Sequence, residues 1–260
     1  MKMLLTRFAV KLAARLPNLE SYQRYLFVGP HPDDIEIGAG ATAAKLCETG
    51  KDVCFLICTD GRYGTENLKE QLTPEQIAAL RKNEAISAAA SLGVKDVRFL
   101  GFSDGGLYQF QELGRQILNV IADYQPDVVF APDPCVTSEC HVDHLNVGNA
   151  VRQSMCLLPF DEIASAYGVK SARIQALAYY MTANVNCIVR TSPLLFQRQQ
   201  SAIFDHHLSQ YPSDCGAGKL LSLYLRLRAV NCGLRKASLY GEGFRVLGAI
   251  HMHCLPEAGA

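Results

Sequence analysis

The sequence predicts an α/β protein: a three-layer α/β/α, Rossmann-like sandwich on a mostly parallel sheet, with a less regular C-terminal part. Three observations carry this. Short apolar runs alternate with longer helical patterns from residue 25 to residue 131, as in strand–helix–strand crossovers. Glycine or proline marks several junctions, at Gly50, Pro74, Gly93 and Pro126, where chain stops and turns need them. The chain has 260 residues, 49% of them hydrophobic, which is enough for one core of that size.

Taken in order, residues 25–29 (YLFVG) read as a buried strand, followed by a loop over 30–34. Residues 37–49 carry small and apolar side chains at helical spacing and stop at Gly50, a natural helix end. A second strand spans 53–58, and a polar, Gly-containing loop spans 59–73. Thr73-Pro74-Glu75 opens a helix, with Thr as cap and Pro in the first turn, that runs to Leu92 before Gly93. A strand at 97–100, a helix at 113–124 and a strand at 128–131 repeat the pattern. Beyond residue 160, strands at 176–181 and 187–190 and a helix at 220–234 are expected.

Residues 1–24 are expected to form a basic amphipathic helix appended to a single catalytic domain over 25–260. Lys2, Arg7, Lys11 and Arg15 interrupt its apolar residues, so it lacks the continuous core of a secretion signal. It suits docking on its own domain, or weak contact with a membrane surface or a partner. No stretch reaches the roughly 20 apolar residues of a membrane span. Lys+Arg and Asp+Glu number 25 each, which argues against a nucleic-acid binder and favours a small, weakly charged ligand. Ten cysteines without CxxC spacing fit free thiols in a reducing cytoplasm. A homo-oligomer is compatible with the sequence.

Ligands of such sheets bind beyond the carboxyl ends of the strands. There the chain places His31-Pro32-Asp33-Asp34 after the first strand and His141-Val142-Asp143-His144 after the fourth. A histidine and two carboxylates at a buried strand end are costly unless paired or metal-bound. Two imidazoles and a carboxylate can supply three zinc ligands and leave one position open for water.

HPDDIEIGAG followed by HVDH resembles the PIG-L/LmbE-like family of zinc-dependent N-acetylglucosamine deacetylases, in style nearest the bacillithiol-pathway and chitobiose-type members. TDGRYGT, LRKNEAISAAASLGVKDVRFLGFSDG, HHLSQYP and GEGFRVL extend the resemblance over about residues 25 to 250, by the same pattern reading. Glu36 stands one position later than in members reading HPDDE, which leaves its role open. The resemblance implies zinc held by His31, Asp34 and His144, with Asp33 as general base. It implies that His141 stabilises the developing oxyanion, that Asp143 orients His141, and that Arg81 contacts substrate. Asp60 and Arg62 are further candidate sugar contacts.

The chemistry agrees with those roles. Zinc polarises a carbonyl and lowers the pKa of bound water from 15.7 to about 7, a second carboxylate can move the proton, and an oxyanion donor is commonly worth about 3 kcal/mol. The resulting expectation is hydrolysis of an N-acetyl group on a small GlcNAc-containing compound, with an amidase for a thiol conjugate or another acylated amine as the near alternative. Gly38–Ala43 formally matches a dinucleotide fingerprint, but His31–Glu36 separates it from the strand it should follow directly. A nucleotide-binding protein is therefore the alternative from another class, and a catalytically silent carbohydrate binder a third. His206 and His207 are expected to finish a helix, where cations suit the dipole. His251, His253 and Cys254 are expected to be incidental surface residues.

Overall fold

The structure, a computed structural model, describes residues 14–252. Seven strands, β1 (Arg24–Gly29), β2 (Asp52–Thr59), β3 (Asp96–Phe102), β4 (Val128–Pro132), β5 (Ala176–Tyr180), β6 (Cys187–Thr191) and β7 (Tyr240–Gly248), form one sheet in the order β3-β2-β1-β4-β5-β7-β6. The first five run parallel, and β7 is antiparallel to both β5 and β6. The helices are α1 (Asp34–Glu48), α2 (Pro74–Leu92), α3 (Phe110–Tyr124), α4 (Val142–Leu157), α5 (Asp161–Ala166), α6 (Pro193–Phe204) and α7 (Gly216–Leu234).

β4 and β5 are buried throughout, and β1 and β2 at every residue but the first. Both of their faces are covered, which is why they read as continuous apolar runs rather than alternating ones. On one face Tyr25, Phe27, Phe55 and Phe130 pack with α1, α2 and α6. On the other, Leu26, Val28, Leu56 and Val129 pack with α3 and α4. α7 lies further out, joined to α6 through Phe196, Ile203, Leu225 and Ala229. Strand order reverses direction between β1 and β4, and the loops after these two strands open onto the crevice where ligands of such sheets bind.

The expected strands are present, each within two residues of its predicted ends, and α2 runs from Pro74 to Leu92 with a complete Thr73–Gln76 capping box. Three features depart from the expected elements. α1 begins at Asp34 rather than residue 37, α4 carries Asp143 and His144 in its first turn, and β7 closes the sheet. β7 does not read as a strand because Gly241, Glu242 and Gly243 break its apolar pattern.

Glu242 is buried because α1 is kinked. Ala39 has a non-helical φ of −153°, which frees backbone groups on both sides of it. The Glu242 carboxylate accepts the N–H groups of Ala41 (3.1 Å) and Thr42 (2.6 Å), while Gln199 Nε2 donates to the Glu36 carbonyl (2.9 Å). Buried backbone groups require such partners. A Cβ on Gly38 would stand 2.2 Å from the Tyr180 ring, so this glycine permits close helix–sheet contact. The Gly38–Ala43 run therefore lies inside a helix, with two of its amides already satisfied, and the nucleotide reading falls.

Of the helix expected over 1–24, residues 1–13 lie outside the described residues. The remainder is not α-helical: Pro17 lacks an amide donor, Asn18 caps a 3-10 turn at Leu19–Ser21, and Arg24 already opens β1.

Candidate metal centre and active site

The loop after β1 turns sharply into α1. Asp33 caps that helix with φ +148°, a backbone state that non-glycine residues rarely adopt and that collects at functional sites. The turn brings Asp34 Oδ2 to 3.0 Å from His31 Nδ1 and also to the His31 amide at 2.9 Å. From the other side of the switch point, His144 Nε2 lies 3.3 Å from the same oxygen. His144 is held by Glu139, whose Oε2 is 3.1 Å from Nδ1. A carboxylate behind a ligating imidazole fixes its tautomer and raises its basicity.

Asp143 is fully buried. It accepts the amides of Gly105 (2.7 Å) and Gly106 (2.9 Å) and the Tyr108 hydroxyl (2.7 Å), and it meets His31 Nε2 at 3.0 Å. Its carboxylate is 3.8 Å from His141 Nδ1. Asp143 therefore steadies His31 through its side chain. It touches His141 through its backbone, whose N–H donates to Nδ1 at 3.3 Å.

The field of this cluster favours a cation. Burial opposes protonation of His31, yet hydrogen bonds to Asp143 and Asp34 raise its pKa to about 10. Burial likewise opposes protonation of His144, and Asp34 outweighs it, so that ring is raised too. Asp34 and Asp143 are both lowered, because imidazole contacts, joined at Asp143 by the Tyr108 hydroxyl, outweigh burial. Tetrahedral zinc with ligands at 2.0–2.1 Å sets them about 3.3 Å apart, and the spacings of Asp34 Oδ2 to the two rings, 3.0 and 3.3 Å, fit. His31, His141 and His144 also bring ligand atoms within 4.8 Å of one another. The Asp34 set is preferred because Asp34 is buried between both rings, whereas the His141 side chain is 48% exposed.

Asp33 faces a different partner. Arg81, 4% exposed, donates to Asp33 Oδ2 (3.2 Å), the Pro32 carbonyl (3.1 Å) and the Gly61 carbonyl (3.1 Å). A Cβ on Gly61 would stand 2.2 Å from Arg81 Nη1, and its φ is +68°, so only glycine leaves room for the guanidinium. Burial raises the pKa of Asp33 against the pull of Arg81. The Tyr211 hydroxyl approaches the same oxygen at 3.5 Å.

A family model described as PIG-L, GlcNAc-PI de-N-acetylase, matches residues 26–155, half of the chain. The diacetylchitobiose deacetylase of Thermococcus kodakarensis is 33% identical over 239 residues, covering 91% of this chain and 87% of that protein. The chain belongs to the PIG-L family. A structure of N,N'-diacetylchitobiose deacetylase from Pyrococcus horikoshii with an inhibitor is similar at TM-score 0.85 and 30% identity, covering 98% of this chain and 96% of that one. A 4-carboxy-2-hydroxymuconate hydratase from Pseudomonas putida shares the fold at TM-score 0.70 and 17% identity, so fold alone does not decide chemistry.

Within this PIG-L chain, His31, Asp33, Asp34, His141, Asp143 and His144 converge as the two motifs suggest. Arg81 is turned inward to Asp33. Asp60 and Arg62 pair with each other, Arg62 Nε donating to Asp60 Oδ2 at 3.0 Å. Three residues were missed: Glu139 behind His144, Tyr211 beside Asp33, and Asp104, buried and accepting the Tyr63 amide at 3.3 Å. HHLSQYP held the signal for Tyr211. His207 does not end a helix as a solvated cation; α6 ends at Phe204, and His207 is fully buried with Nε2 3.5 Å from Glu36 Oε1. His251 is not an incidental surface residue either: it accepts the Gly248 amide (3.1 Å) and lies 3.0 Å from the Ala14 carbonyl. His253 and Cys254 lie outside the described residues.

Proposed function

We propose that this PIG-L protein is a zinc-dependent hydrolase that removes the N-acetyl group of a small GlcNAc-containing compound. The observation that carries the reading is Asp34 set between His31 and His144 while its neighbour Asp33 is kept apart by Arg81. The imidazole and carboxylate donors suit zinc. His31, Asp34 and His144 would hold the ion, which when bound polarises the acetyl carbonyl and makes water more acidic.

The remaining steps belong to the chain. Asp33, with its raised pKa, takes a proton from the attacking water on a carboxylate oxygen and returns it to the departing amine. Arg81 holds that carboxylate in place. His141 accepts the Asp143 amide on Nδ1, so in the neutral ring the proton sits on Nε2 and can be donated to the developing oxyanion. Burial and the neighbouring His31 and His144 lower its pKa, which keeps the ring in that neutral form. Asp60 and Arg62, with Asp104 near them, offer polar groups to sugar hydroxyls.

The relatives named for diacetylchitobiose, and a Bacillus cereus relative named as a probable N-acetyl-α-D-glucosaminyl L-malate deacetylase, 33% identical over 143 residues, support an acetylated amino sugar. The nine cysteines among the described residues are free, which accords with a cytoplasmic setting, and no described helix is long and apolar enough to cross a membrane. The test is acetate release, at matched concentration, from GlcNAc, diacetylchitobiose, a GlcNAc conjugate and a simple N-acetylated alkylamine, with zinc measured in the same preparation. A site built to bind hydroxyls rejects analogues lacking them by about 10,000-fold or more. Equal kcat/KM for sugar and alkylamine would sink the sugar assignment; no acetate release from any of them would sink the hydrolase reading, and full activity without bound metal its zinc dependence.

A further inference from the structure

α7 carries two opposite faces. Leu225, Ala229 and Cys232 are buried against α6 and the sheet. On the other side Leu220, Leu223, Tyr224, Leu227 and Leu234 are 68, 53, 52, 62 and 72% exposed. Leu220, Leu223, Tyr224 and Leu227, at i, i+3, i+4 and i+7, make a stripe over two turns, and Leu234 stands on the same face beyond the polar Asn231. Single exposed leucines need no explanation, whereas a contiguous apolar patch marks an interaction surface.

The flanks of the stripe say what meets it. Lys219 and Arg226 fall on one side, Arg228 and the C-cap Arg235 on the other, at 100° per residue. Arg228 donates to the Thr182 carbonyl (2.8 Å) and Arg235 to the Val185 carbonyl (3.3 Å), which fixes both guanidinium groups at the edge. No Asp or Glu occurs between residues 215 and 241. In a chain of zero formal charge, this is a strong local excess.

We propose that α7 docks on an anionic lipid surface, with the leucine stripe in the acyl boundary and the flanking Arg and Lys at the headgroups. An apolar face bordered on both sides by basic residues is the pattern of a helix lying in a membrane interface, and basic residues near such a surface are drawn to anionic lipid. A second copy paired through the same helix would set Arg and Lys against Arg and Lys with no carboxylate on either helix to answer them. The segment 1–13, with Lys2, Arg7 and Lys11, meets the same repulsion. Tyr211, which reaches Asp33, packs against Gly218 in the first turn of α7. The docked helix therefore begins beside the catalytic pocket. The inference is independent of the reaction proposed above.

The test is co-sedimentation of the full chain with phosphatidylcholine vesicles and with mixed phosphatidylcholine–phosphatidylglycerol vesicles. Binding to the mixed vesicles should exceed binding to the neutral ones by about tenfold or more and weaken as salt is raised. L223S/L227S should lose about tenfold of that binding while its circular dichroism and its turnover of a soluble acetylated sugar stay unchanged. K219E/R226E should lose the preference for anionic vesicles with the leucines intact. Equal binding to both vesicle types, or vesicle binding by L223S/L227S as strong as by wild type, overturns the proposal. So does light scattering that shows an oligomer which L223S/L227S converts to monomer while vesicle binding is nil.

Discussion

Asp33 and Asp34 are adjacent in the chain and held in opposite electrostatic states. Burial raises Asp33, while at Asp34 the His144 and His31 contacts outweigh burial and hold the carboxyl down. The strained turn at Asp33 is what lets two consecutive side chains face Arg81 and the imidazoles separately. Asp33→Asn should therefore keep its metal, because the His31, Asp34 and His144 donors are untouched, and lose about 100- to 10,000-fold in kcat for want of a proton acceptor. Metal content and kcat measured on one preparation check this, and near-normal turnover with metal bound would reject Asp33 as the base. The HPDD and HVDH residues were legible because a histidine–carboxylate cluster after an apolar strand has few bland explanations. Arg81 was recognised, but its partner was not: the contact with Asp33 depends on Gly61 leaving space across 20 residues, which no local pattern encodes. Glu139 and the buried His207–Glu36 pair are likewise products of tertiary contact.

Among the elements, α1 connects the site to the rest of the fold, and its kink depends on a residue about 200 positions away. Burial raises the pKa of Glu242 to about 7, against the hydrogen bonds from Thr42 and Ala41. The native state then binds more protons than the unfolded chain between the ordinary carboxyl value and about 7. Stability from this group therefore falls as pH rises through that window, and the loss is complete above it. Glu242→Gln cannot titrate. The stability of wild type relative to Glu242→Gln, from urea midpoints, should drop by roughly 2–3 kcal/mol between about pH 5 and pH 7.5; a difference that is flat or rises with pH would show that the carboxylate is content ionised. Helices with local punctuation, such as α2 with its capping box and Gly93 stop, could be read from the sequence. β7 could not, since its glycines and Glu242 answer to neighbours rather than to strand periodicity.

At the scale of the molecule, the mostly parallel sheet was legible because buried crossover strands announce themselves as apolar runs, whereas the order β3-β2-β1-β4-β5 and the antiparallel β7 and β6 edge depend on pairings between distant segments. That order puts the two candidate metal loops on opposite sides of one switch point, and the cluster links them: His31 and Asp34 from the β1 side, Asp143 and His144 from the β4 side. Three buried carboxylates, Asp33, Asp34 and Asp143, gather where a bound dication would offset their repulsion. Metal binding to the folded state alone should stabilise it by RT ln(1 + [M]/Kd), about 4 kcal/mol at 1,000 times Kd. For a chain of this size that corresponds to roughly 8–16 °C in Tm. Chelation should lower Tm by about that much, and adding back zinc should restore it. His31 and His144 are both raised, so protons compete with the metal, and the zinc-dependent increment should shrink as pH is lowered from about 8 to 6. Scanning calorimetry with and without chelator at the two pH values reads both effects. A Tm indifferent to chelator in a preparation shown to have lost its metal would mean that the two loops are held together without it.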